Sequence, residues 1–262
     1  MLTLFRGLAL IGAMIVLTGA QSCSSDSSTV SQQPAQPAGS GAVAEKLVLV
    51  QWPPPVSGGA IELAKELNEE VYLVLFDNSG SMTERDCSGN LSKFNLARKA
   101  LKRFARTVPL KAPLALMVFA NSGAKVVVPF GVGATHRDQF DRTLDGLSAD
   151  MGTPLRGALG DAYKVMTEQG QRQLGYGTYR LVTLTDGESG DGNPAATAKD
   201  IAKTPIELMV IGFCTGKGHS LNIPGHTRYF TAGNPEELTK GLEAVQQAEV
   251  PVFDVGSFSK VN

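Results

Sequence analysis

The chain has 262 residues, 42% hydrophobic and 19% charged, which is enough apolar material for one good-sized domain with a leader and tails. The formal net charge of −1 excludes a global field directed at nucleic acid or at an acidic membrane surface. No glycine-rich or aromatic-basic nucleic-acid motif appears either.

The first residues, MLTLFR, carry one cation, Arg6, and GLALIGAMIVL from Gly7 to Leu17 is unbroken and apolar. Thr18 and Ala20 follow at the small-residue positions of a cleavage site. This is the pattern of a secretory signal peptide over residues 1–20. The apolar run falls short of the roughly 20 residues that span a bilayer. GAQSCSSDSS resembles the lipobox of bacterial lipoproteins, with Ala20 and Ser22 at its small positions. Gln21 and a missing leucine depart from that pattern. Lipidation at Cys23, with the signal extending to residue 22, is expected, and plain secretion is the alternative. Either way the chain is expected in the periplasm or cell envelope. Membrane attachment would come only through an N-terminal lipid or signal anchor.

Residues 21–44 are Ser, Gln, Pro, Ala and Gly with almost no large apolar side chains, so they read as a flexible tether. Residues 45–70 read as an extension that packs on the main domain. It holds a strand, KLVLV, ended by Trp52 and three prolines, and then a short helix, AIELAKELNEE. From Val71 strands and helices alternate. VYLVLF is a buried strand. NLSKFNLARKALKRFARTV is an amphipathic helix with Phe94, Ala97, Leu101, Phe104 and Val108 on its apolar stripe. Its cations, Lys93, Arg98, Lys99, Lys102, Arg103 and Arg106, are expected on the solvated face. APLALMVFA and AKVVVPF are strands joined by a tight Asn-Ser-Gly turn, and RDQFDRTLDGLS is helical. Thr153-Pro154 opens the next helix, threonine as N-cap and proline in the first turn. YRLVTLTD is a strand, NPAATAKDIAK a helix, IELMVIGF and TRYFTAG strands. NPEELTKGLEAVQQ is the last helix, with Asn234 as its cap. The tail, 248–262, is assigned a further strand, placed beside KLVLV. The alternation implies an α/β, Rossmann-like, doubly wound sheet, mostly parallel, with one antiparallel edge strand and helices on both faces.

In such a sheet ligands sit beyond the carboxyl ends of the strands. Asp77, Ser79 and Ser81 follow the first main strand, Asp186 follows LVTLT, and Thr153 begins a helix between them. Two carboxylates and three hydroxyls are hard oxygen donors suited to Mg²⁺. Gly80 is expected to let the loop turn so that both serines aim at one point.

DNSGSM, GTPL and TDGES resemble the three parts of the metal-ion-dependent adhesion site of von Willebrand factor A domains, over residues 71–247. The family pattern D-x-S-x-S, then Thr, then Asp, falls on Asp77, Ser79, Ser81, Thr153 and Asp186. The resemblance implies Mg²⁺, with Mn²⁺ or Ca²⁺ as substitutes, and a protein ligand that supplies an acidic side chain. It implies a non-catalytic adhesion or assembly role. The alternative is an accessory or scaffolding subunit of an envelope complex with a mainly structural metal.

Enzyme readings lack support. Asn78 separates Asp77 from Ser79, against an aspartic protease, and Ser79 replaces the second aspartate of a haloacid-type phosphatase. GFCTGKG is too short for a P-loop, and no G-x-S-x-G elbow occurs. His136, His219 and His226 are expected as isolated surface histidines, since their spacing with Cys214 fits no zinc site. Glu188 and Asp191 are expected in a solvated acidic loop. Three cysteines leave an odd thiol in an exported chain. If Cys23 carries lipid, Cys87 and Cys214 remain for one disulfide at the rim of the metal-bearing face, and free thiols are the alternative.

Overall fold

The computed structural model describes residues 51–56 and 60–247. The leader, Cys23, the tether, KLVLV and the tail lie outside the described residues. The elements run β1 (Glu70–Asp77), α1 (Lys93–Thr107), β2 (Leu114–Ala120), β3 (Gly123–Gly131), α2 (Ala134–Gly146), α3 (Leu155–Arg172), β4 (Thr178–Thr185), α4 (Ala195–Ile201), β5 (Ile206–Phe213), β6 (Arg228–Ala232) and α5 (Pro235–Gln247). A 3-10 turn, Gly80–Thr83, follows β1.

Strands β1, β2, β4 and β5 are mostly apolar and buried on both faces, as an interior position in a sheet covered twice requires. The order is β3-β2-β1-β4-β5-β6, parallel throughout except for the antiparallel edge pair β2–β3. Alternate residues of β1 feed two cores. Tyr72, Val74 and Phe76 meet Phe94, Leu101 and Phe104 of α1, with α2 and α5 beside it. Val71, Leu73 and Leu75 face Leu155, Leu159, Ala162 and Met166 of α3, with α4 alongside. The expected doubly wound architecture is therefore the observed one.

From β1 the chain winds outward to β2 in one direction, and β4 begins the winding in the other. Strand order reverses between β1 and β4, so their carboxyl ends open a crevice. Parallel register sets Phe76 against Leu184 and places Asp77 and Thr185 at its mouth.

The expected helix over 60–70 does not form. The Ala64 N–H donates to the Arg172 carbonyl at 2.8 Å, and the Gln173 amide donates to the Leu67 and Glu69 carbonyls at 3.0 and 3.1 Å. The end of α3 takes these backbone groups, and tertiary partners outweigh the segment's own helix propensity. Trp52 anchors the same strap, edge-on to Tyr179 with ring centroids 4.4 Å apart. Its ring lies against Gly170 of α3, where any Cβ would run into the indole.

Trp52 is the sole tryptophan of the chain, so it reports on this contact. Gly170→Ala is expected to lower stability by about 1–3 kcal/mol, the cost of overpacking, and to red-shift the tryptophan emission. Urea titration followed by fluorescence measures both.

Candidate metal centre

Three loops converge on the β1–β4 crevice. The Asp150 N–H donates to the Asn78 carbonyl at 2.7 Å, tying the loop after β1 to the segment before α3. The Gly190 N–H donates to the Thr153 carbonyl at 2.7 Å, tying that segment to the loop after β4. Gly152 turns the chain just before Thr153 with φ of +75°, and a Cβ there would press on Asn121 at 3.1 Å.

Four of the five expected oxygen donors lie in one hydrogen-bonded chain. Asp77 Oδ1 accepts the Ser79 N–H at 2.9 Å, and Asp77 Oδ2 accepts the Thr185 hydroxyl at 2.6 Å. The Ser79 and Ser81 hydroxyls are 3.0 Å apart, and Ser81 Oγ donates to Asp186 Oδ1 at 2.8 Å. Thr153 joins through the backbone of its loop, and among the described residues its hydroxyl makes no hydrogen bond. Thr153 is also not the helix cap. Pro154 takes that position, and Asp191 reaches across to accept the Arg156 and Gly157 N–H groups at 3.0 and 2.8 Å. Capping by Asp191 leaves the threonine hydroxyl free, and removes Asp191 from the solvated loop in which it was expected. Glu188 likewise has a partner, accepting the Ser220 N–H at 3.0 Å. The loop turns tightly at Gly80, closing through the Met82 N–H to the Ser79 carbonyl at 3.1 Å, and it does so without a positive φ at the glycine.

The electrostatics are uneven. Asp77 is fully buried, and desolvation pushes its carboxyl up to about 6, with nearby Asp186 adding to the rise and bonds from Ser79 and Thr185 opposing it. Among the described residues no basic side chain pairs with Asp77. Asp186 differs, because Lys93 Nζ lies 2.7 Å from its Oδ2. Lys93 is the residue the sequence misplaced. It was expected on the solvated face of α1, yet its side chain is 4% exposed and also meets Glu84 and Asp86 at 3.1 Å each. Burial alone would lower its pKa, but Asp186, Asp86 and Glu84 outweigh that and hold the ammonium above the usual lysine range. A lysine at the first helical position opposes the helix dipole, and the three acidic neighbours offset that cost.

A desolvated carboxylate short of a counter-cation, ringed by hydroxyls, fits a divalent cation with oxygen ligands. Among the described residues no group of three or more His, Cys, Asp or Glu offers another kind of metal site. His219, expected at the surface, is 4% exposed and bonds the Gly187 carbonyl at 2.9 Å, so it braces the loop after β4. A polar cleft of about 350 Å³ lies beside the crevice, lined by Asn78, Ser122, Lys125, Ser148 and Asp150 among others.

Cys87 and Cys214 form a disulfide, Cα atoms 5.8 Å apart, joining the loop after β1 to the end of β5. This is the expected pair at the rim of the crevice.

Residues 72–188 match the family model of the von Willebrand factor type A domain. The fold is the von Willebrand A fold. The match and the sheet topology together support the expected family. The uncharacterized protein YwmC of Bacillus subtilis (strain 168) is 28% identical over 184 residues, which cover 64% of this chain and 78% of YwmC. An aerotolerance-related membrane protein from Bacteroides fragilis superposes with a TM-score of 0.55 at 18% identity, over 68% of this chain and 97% of that one. The pilus adhesin SpaC from Lactobacillus rhamnosus GG superposes with a TM-score of 0.57 at 13% identity, over 71% of this chain and 31% of SpaC. At such identities the structural likeness speaks for the von Willebrand A fold alone.

Two measurements follow from this geometry. The disulfide closes a loop spanning 127 positions, so Cys87→Ala with Cys214→Ala should cost about 2–5 kcal/mol in guanidinium titrations. In the metal-free chain Asp77 carries a folded-state pKa raised from 3.8 to about 6. The native state therefore binds this proton more tightly than the unfolded chain. The Asp77 contribution is fully present below pH 3.8 and is lost as pH rises through 6. In excess chelator, Asp77→Asn should be more stable than the parent by about 2 kcal/mol at pH 7.5, the gap closing toward pH 4.

Proposed function

We propose that this von Willebrand A domain, residues 71–247, binds a protein partner through a Mg²⁺ held by Asp77, Ser79, Ser81, Thr153 and Asp186. The observation that carries the reading is the buried, cation-poor Asp77 joined to Ser79, Ser81 and Asp186 at the strand-order reversal. The hydroxyls and carboxylates are the ligands, direct or through water. A bound cation would supply one Lewis-acidic position facing solvent, and a carboxylate from the partner is the hard anionic group that suits it. The role is non-catalytic. No general base or activated nucleophile is needed for the reading, and the crevice offers carboxylates already committed to hydroxyls and to Lys93.

The chain is exported in this proposal and works in the periplasm or cell envelope, anchored by lipid on Cys23 or freely secreted. Residues 1–20 are the signal and 21–44 the tether. The Cys87–Cys214 disulfide supports an oxidising compartment. Among the described residues no helix is long and apolar enough to cross a membrane. Two fold relatives, a pilus adhesin and an aerotolerance-related membrane protein, are in keeping with an envelope setting.

The test is a pull-down from an envelope extract of the producing cells, with the full chain as bait. A partner is expected in millimolar Mg²⁺, lost in excess chelator, and lost with Asp77→Asn, whose circular dichroism matches the parent. Binding that persists undiminished in chelator overturns the adhesion reading. If chelation lowers only the melting temperature, the metal is structural and the domain is a scaffolding subunit.

A further inference from the structure

Lys93 is placed where a lysine is costly. It is the first residue of α1, where the positive end of the helix dipole repels an ammonium, and the first turn of that helix contains no acidic residue. Its side chain is nearly sealed from water. What holds it is a sandwich of carboxylates. Inside is Asp186, with a fully buried side chain, 2.7 Å away. Outside are Glu84 and Asp86, each 3.1 Å away and 64% and 58% exposed. The peptide geometry fixes the arrangement, because the Lys93 N–H donates to the Glu84 carbonyl at 2.8 Å.

The two oxygens of Asp186 thus have different duties. Oδ1 takes the Ser81 hydroxyl, itself one of the proposed ligands, while Oδ2 takes Lys93. A cation in contact with a ligand carboxylate repels a second cation approaching the same group, and burial leaves that repulsion weakly screened. The outer pair, Glu84 and Asp86, stands in solvent, where its field is strongly damped. Of the two buried acids only Asp77 offers its charge undivided.

We propose that Lys93 is a built-in counter-cation of the metal site, a positioning residue that orients Asp186 and lowers the affinity of the crevice for a free divalent ion. This rests on the reading of the five oxygens as metal ligands. The site then binds a free cation less tightly than two unpaired aspartates would, and its affinity is set by a residue outside the D-x-S-x-S, Thr, Asp pattern.

Mn²⁺ titrated into the full chain, with free metal read by electron paramagnetic resonance, tests it. Lys93→Met keeps the length of the stem and removes the charge, and its Kd for Mn²⁺ is expected to fall about tenfold. Glu84→Gln with Asp86→Asn alters exposed groups only, leaves Lys93 concentrated on Asp186, and is expected to raise the Kd about threefold. A Kd for Lys93→Met equal to or above that of the parent overturns the proposal. If Lys93→Met does not fold, the double variant decides, and an unchanged Kd there overturns it. A parent chain that binds Mn²⁺ alongside unmoved variants sinks this inference alone. Absence of Mn²⁺ binding in every form sinks the metal reading with it, whereas binding gained only on removing Lys93 supports both.

Discussion

The parallel pairing of β1 with β4 is the constraint on which the rest depends. Both strands are buried on both faces, so their register cannot slip without turning every side chain into the wrong core. That register places Asp77 beside Thr185 at the point where the strand order reverses. Loops that are far apart in sequence then meet over a single spot. The Ser81–Asp186 contact spans 105 positions of chain and exists only because two strands are locked side by side.

Charge at that spot is held in deliberate imbalance. Two acids enter the same low-dielectric crevice, and each would be expensive there without compensation. Asp186 is compensated by Lys93 from within the fold. Asp77 has only hydrogen bonds, from Ser79 and Thr185. One acid belongs to the permanent structure, and the other keeps an unmet demand for positive charge.

Much of this was legible in sequence, and the boundary of legibility has physical causes. The strands could be read because a doubly covered strand is a continuous apolar run, and the long helices because their stripes recur every three or four residues. The loop motifs DNSGSM, GTPL and TDGES could be read because they sit where strands or helices change over. The fate of residues 60–70 could not be read, because the end of α3 supplies their hydrogen bonds from over a hundred positions away. Nor could the release of Thr153 from capping, since Asp191 performs that task from a different loop. Lys93 looked like one more cation among six on α1. Only the fold shows that Glu84, Asp86 and Asp186 surround it and not water. Periodicity reports which face of a helix is apolar, and it is blind to the first turn, where the surroundings are loops. His219 was misjudged for the same reason, its burial coming from the loop after β4.

The Trp52 strap has a mechanical consequence. Trp52 packs at the amino-terminal end of β4, and Gln246 near the end of α5 bonds Thr107 at the far end of α1. Both ends of the described chain therefore leave from the side opposite the crevice. Tension between Trp52 and the loop after Asp77 would run lengthwise along β1. Its hydrogen bonds to β2 and β4 would be loaded in shear, all together, instead of being peeled one at a time. The disulfide from Cys87 to Cys214 would clamp the loops at the crevice end of that loaded strand.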